Sequence, residues 1–368
     1  MVRKIISAAV LITTVACAEP GAITAPDAAF HAGGANVTPC TAEEGQQLID
    51  AGQYQAAIQK FTCVIGLDPT AVEGYRGRIE AQLMLGLFSD AVRDYTLVTA
   101  FVVPVHPDAQ QLIFAGYNTR LEAAPDEIAA LTGLSFAYWW DFDYPTAMKV
   151  LDQLVALQPN GVYANLFRGS SRLLKGTRRA EGVADLENAI ALAPSSPDVR
   201  FIIADAYTYG YTPDAQRAFD EAMNALNGGL NTPRIRAILA ASYFAFGDMA
   251  AAAAQIKIHF DLVTTELVGT APLSAGSSTS LPVVPGRAYE VPIVVAAGET
   301  VEIVTSSRDF WDTILVLLAP DGTPVAGSDD YRLYYAGLKW VAPAAGTYRL
   351  RVTSFESVST GALLLARR

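Results

Sequence analysis

Few residues in this chain are of types that do chemistry. The three histidines, His31, His106 and His259, are scattered, and none stands in a spacing such as HExxH that would place two imidazoles on one helical face. There is no GxSxG elbow, no phosphate loop and no GxGxxG turn. Asp141 and Asp143 lie among aromatic residues. Paired carboxylates can hydrolyse glycosides, but a loop pair of this kind ordinarily forms a solvated turn. Asp312, Asp329 and Asp330 have two readings. Grouped at one end of a β-sandwich they would suit calcium, which takes six to eight oxygen ligands. Otherwise Asp312 hydrogen-bonds nearby amides, and Asp329 and Asp330 shape a turn. Calcium is the one cofactor these residue types suggest. The chain reads as a binding protein and not as an enzyme.

The three cysteines divide by position. Arg3 and Lys4 precede the apolar run Ile5 to Val15, so residues 1–18 have the form of an export signal. The run is shorter than the roughly 20 residues that span a bilayer. Two endings compete: cleavage after small residues at Ala16-Cys17-Ala18, or lipidation of Cys17, since Thr14-Val15-Ala16-Cys17 resembles a bacterial lipobox with Thr in place of Leu. Residues 19–37 read as a flexible tether. The expected location is the cell envelope or outer surface, lipid-anchored or secreted, with membrane contact through the anchor only. Cys40 opens one predicted helix and Cys63 lies near the end of the next. In an antiparallel hairpin those ends are neighbours, so a disulfide is expected in an exported chain. Two buried free thiols are the alternative. A net charge of -11 without any Lys/Arg cluster argues against nucleic acid.

The elements that position these residues repeat. Between Gly52 and Pro69 the apolar residues Tyr54, Ala57, Ile58, Phe61, Val64 and Ile65 form a helical stripe. Thirty-four residues later Gly86, Phe88, Ala91 and Tyr95 restate it. Further units follow at 128–160, from about 163, at Asp198 to Ala222, and at Pro233 to Ile256. A helical hairpin that cannot bury its apolar face alone stacks on its own copy, which predicts an α-helical solenoid over 38–262. Residues 106–127 break the phase. They are either a truncated repeat or one helix that reverses the parity.

The pattern resembles the tetratricopeptide repeat. That resemblance implies that the first helices of successive hairpins line a concave groove for a protein or peptide partner. It places Arg76, Glu80, Phe136, Trp139, Trp140, Phe167, Arg200, Tyr207, Arg234 and Phe244 on or near that groove. Aromatic and arginine residues are the types that make binding hot spots. The competing reading puts Trp139, Trp140 and Phe142 in the core between repeats.

Residues 263–280 are rich in Ser, Thr, Gly and Ala and read as a linker. Beyond them the period changes from 3.6 to 2, with Tyr289, Val291, Ile293 and Val295 alternating with their neighbours. Turn signals at Ala297-Gly298, Pro320-Asp321-Gly322 and Ala344-Ala345-Gly346 separate short strands. The fold class is therefore α then β, a helical solenoid followed by a small antiparallel β-sandwich or jelly roll at 281–368. Trp311-Asp312-Thr313, Ser328-Asp329-Asp330 and Ala345-Gly346-Thr347-Tyr348, in that order, resemble a bacterial pre-peptidase C-terminal domain. The resemblance implies an attachment module. Two other roles stay open: a structural subunit of an envelope assembly, and an accessory that presents substrate to a separate hydrolase.

Overall fold

The structure, a computed structural model, describes residues 40–98, 102, 105–284, 286–307, 313–328, 336–354 and 361–368. Cys17, the tether at 19–37, and Asp312, Asp329 and Asp330 lie outside the described residues. Among the described residues thirteen α-helices precede nine β-strands. They form two units, one ending at Leu230 and one running from Asn231 to Arg368.

The first unit opens with α1 (Ala42–Asp50) and α2 (Tyr54–Leu67). Thr41 caps α1: its hydroxyl accepts from Glu44 N while the Glu44 carboxylate accepts from Thr41 N. Cys40 and Cys63 are disulfide-bonded with Cα atoms 6.2 Å apart, as the hairpin reading expects. Phe61 of α2 lies against Gly45 and Gly77, where any Cβ would collide with its ring. Four hairpins follow the predicted phase: α3 (Val72–Leu85) with α4 (Phe88–Leu97), α6 (Ile128–Trp140) with α7 (Tyr144–Leu157), α8 (Val162–Lys175) with α9 (Arg179–Leu192), and α10 (Pro197–Tyr209) with α11 (Ala215–Asn227). Three of them are pinned by an arginine on the first helix and an acid on the second. The pairs are Arg78 with Asp94 at 2.6 Å, Arg168 with Asp185 at 2.6 Å, and Arg200 with Glu221 at 2.8 Å.

The phase break at 106–127 is the helix α5 (Ala109–Ala123), and it reverses the parity. The C-terminal end of α3, at Leu83 to Gly86, shares a cavity with Ile128 at the start of α6 and Val162 at the start of α8. So α3 runs antiparallel to α6 and α8. The second helix of its hairpin, α4, takes the parallel direction: Phe88 at its start meets Tyr163 near the start of α8, and Tyr95 meets Trp140 at the end of α6. Inserting one helix exchanges which member of a hairpin faces the downstream stack. It also explains why α6, IAALTGLSFAYWW, is apolar on every side: the helices around it leave no solvent face.

In the second unit, α12 (Pro233–Phe246) and α13 (Met249–Val263) form a hairpin beside two sheets. The described strands are β1 (Glu266–Gly269), β2 (Ser278–Val283), β3 (Arg287–Val295), β4 (Thr300–Ser307), β5 (Thr313–Leu318), β6 (Pro324–Ser328), β7 (Gly337–Val341), β8 (Gly346–Ser354) and β9 (Gly361–Arg367). One sheet has the order β1-β3-β8-β5-β6 and the other β2-β9-β4-β7. All pairings are antiparallel except β1 (Glu266–Gly269) with β3 (Arg287–Val295). Between the sheets lie Val291, Ile293, Ile303, Leu315, Leu350 and Leu365. The outer face of the five-stranded sheet carries Ala288, Ile314, Val316 and Leu318, and these pack on Ala240, Ile256 and Phe260 of the hairpin. Strand β5 (Thr313–Leu318), TILVLL, is thus buried on both faces, which accounts for its unbroken apolar run. Two expectations are corrected. The unit boundary falls before α12, because that hairpin has an apolar sheet face to cover. The segment at 263–280 is not a plain linker, since it supplies β1 and the first residues of β2 (Ser278–Val283).

Candidate protein-binding face

The residues expected to line an open groove lie mostly in the interior. On α6, Phe136 is 0% exposed and Trp139 and Trp140 are each 2% exposed; on α8, Phe167 is 0% exposed. Side chains of α4 cover part of them. Phe88 packs edge-on against Phe167 at 5.5 Å between ring centroids, and Tyr95 meets Phe136 at 5.7 Å and Trp140 at 5.5 Å. Next to Phe88, the Asp198 carboxylate of α10 accepts hydrogen bonds from the Ser89 amide at 2.8 Å and the Ser89 hydroxyl at 2.6 Å. So α4 sets side chains against α6, α8 and α10, three first helices, while α3 also packs on α6. Phe88 and Tyr95 match the repeat pattern. That pattern could not show that they serve a different hairpin from their own.

Arg76 and Glu80 of α3 are covered by α5 in the same manner. The Arg76 guanidinium lies 5.8 Å from the Tyr117 ring centre, and the Tyr117 hydroxyl donates to Arg76 O at 3.3 Å. Glu80 is fully buried and both its oxygens accept from Arg120 Nη1, at 2.8 and 2.7 Å. Burial pushes the Glu80 carboxyl above its ordinary range even with Arg120 beside it. Arg120 also pairs with Glu127 and donates to Gln46 Oε1 at 3.3 Å, so it ties α1, α3 and α5 together.

The remaining expected positions are structural too. Arg200 is held by Glu221 and by Pro194 O at 3.2 Å. Tyr207 is buried, with the guanidinium groups of Arg179 and Arg217 each 5.9 Å from its ring centre. Arg234 and Phe244 belong to the second unit. Arg234 is buried, and Phe244 packs on the cluster between the hairpin and the sheet. Of these ten residues expected on or near the groove, seven are buried and Arg76, Arg200 and Phe244 are half-buried, so packing within each unit takes up most of their surface.

Two features near the covered face are chemically distinct. Asp141, at the end of α6, is half-buried and accepts from Gln110 Nε2 of α5. Burial raises its carboxyl to about 6, while the Gln110 bond lowers it and Asp143 raises it. It is followed by Phe142 in the left-handed region, φ 61°. Asp143 caps α7 through Thr146 N at 3.3 Å. At the other end of α4 a cavity of about 350 Å³ stays open, lined by Leu85, Phe88, Ile128, Val162, Tyr163 and Val199 among others. Among the described residues no three His, Cys, Asp or Glu side chains group as metal ligands.

The repeat geometry has counterparts among solved structures. The helical region is similar to tetratricopeptide-repeat proteins. TTC0263, a thermophilic TPR protein in Thermus thermophilus, is 21% identical, with 55% of this chain and 96% of that chain covered and a TM-score of 0.35. PilW, a widely conserved type IV pilus biogenesis factor, is 14% identical, with 59% and 89% covered and a TM-score of 0.37. The strand region is similar to the pre-peptidase C-terminal domain of collagenase from Bacillus anthracis. That domain is 14% identical, with 27% of this chain and 96% of that chain covered and a TM-score of 0.24. No family model matches the chain, and no curated relative matches it. Among the described residues no helix is long and apolar enough to cross a membrane.

Proposed function

We propose that this chain is an exported, non-enzymatic scaffold that holds a protein partner at the cell envelope, with its β-sandwich as a second attachment module. The observation that carries the reading is that three parallel first helices, α6, α8 and α10, together seat another helix, α4, along their shared face. A face that accepts one helix has the shape and chemistry to recognise helices. The Cys40–Cys63 disulfide favours an oxidising compartment and hence export. Anchoring through Cys17 is the finer part of the proposal, and a calcium site at Asp312, Asp329 and Asp330 is a further part.

Affinity capture of the tagged full chain from detergent-solubilised membranes, followed by mass spectrometry, tests the reading. A protein enriched reproducibly over a tag-only control is the expected result. No enriched protein from either membrane or medium fractions overturns it. Intact-mass measurement of the membrane form shows diacylated Cys17 if the anchor exists, and an unmodified cleaved N-terminus otherwise.

A further inference from the structure

The contacts of α4 differ from those of the other second helices in one respect that bears on regulation. Asp94 faces its own hairpin, bound by Arg78 at 2.6 Å and by Gln82 Nε2 at 2.9 Å. Phe88 and Tyr95 face the other way, into α6 and α8. They are seven residues apart, about two helical turns, and so project on one side. Helix-in-groove recognition uses this same spacing of apolar anchors.

The fit is incomplete. Among the described residues Trp139 Nε1, on α6, is buried without a hydrogen-bond partner. Buried polar groups left unpaired weigh against the closed arrangement. Beyond Phe88 the groove continues into the open cavity between Leu85, Ile128, Val162 and Val199. A longer helix would reach that space with an apolar residue one turn ahead of its first aromatic.

We propose that α4 is the resident, displaceable occupant of a helix-accepting groove on α6, α8 and α10. Its competitor is a partner's amphipathic helix bearing two aromatic residues seven positions apart and an apolar residue one turn before the first. This rests on the protein-binding reading above. It adds that the groove is closed at rest, so capture is a competition against a tethered segment whose effective concentration is of millimolar order.

The test uses the full chain and a fluorescein-labelled peptide of residues 84–98. The Phe88→Ala, Tyr95→Ala double variant should bind the peptide about tenfold or more tighter than the wild type does, because its own occupant is weakened. If the variant keeps its helical circular dichroism and binds no better than wild type, the proposal is overturned. Amide exchange on the wild type decides the matter if the variant unfolds. Amides of α4 opening well before those of α8 support a displaceable occupant, and exchange of α4 in step with α8 overturns it. Membrane capture that succeeds while both peptide and exchange results are negative leaves the protein-binding reading intact and removes only the displaceable α4.

Discussion

His259 of α13 shows how one residue sets a pH dependence. Its ring is fully buried, and burial, with Arg234 nearby, lowers its pKa from 6.5 to about 3. The folded state therefore resists a proton that the unfolded chain accepts. The second unit has its full stability above about pH 6.5 and loses it as pH falls toward 3. The loss is about 2 kcal/mol by pH 5 from this group alone. Denaturant midpoints measured at pH 7.5 and 5 should show it, and His259→Phe should remove most of the difference. Glu80 makes the complementary case. Arg120→Ala leaves a fully buried carboxylate without its cation and should destabilise the first unit by about 3 kcal/mol or more. Adding Glu80→Gln removes the stranded charge, so the double variant should recover part of the loss in the same titration.

Among elements, α1, α2 and α5 act through constraint more than through exposed chemistry. Reducing the Cys40–Cys63 bond, or replacing both cysteines with serine, releases a loop with a sequence separation of 23 residues. This should cost about 3 kcal/mol in the chain-entropy account. Hydrogen exchange should locate the loss in α1 and α2 before the later hairpins. At Gly77 the limit is steric. The Phe61 ring occupies the space of a Cβ, so Gly77→Ala should cost roughly 1–3 kcal/mol through overpacking. Thermal melting of that variant beside Gly52→Ala, where a Cβ meets nothing but the φ is +71°, separates overpacking from backbone strain. Helix α5 was legible as a helix from its composition. Its effect, turning α4 to face the downstream stack, arises only once the chain has folded back.

For the whole molecule, the unit boundary makes a direct prediction. A fragment of residues 231–368 keeps α12 and α13 over Ala288, Ile314, Val316 and Leu318, and should unfold cooperatively. A fragment of residues 264–368 bares that sheet face and should aggregate or bind a hydrophobic dye strongly at neutral pH. Helical repeats, the change to period 2 beyond residue 280, the hairpin that joins Cys40 to Cys63 and the order of the two regions could all be read from the chain, because each depends on neighbours within a few tens of residues. The type of the aromatic residues Phe136, Trp139, Trp140 and Phe167 was equally plain. Their burial was not, because residue type cannot tell a hot spot from a core when both use aromatics. That distinction needed the position of Phe88 and Tyr95, set by one intervening helix. The cover on β5 likewise depended on which hairpin reached the sheet. Local periodicity determined the elements, and only the tertiary fold decided which of their faces remain open, since burial depends on what returns from far along the chain.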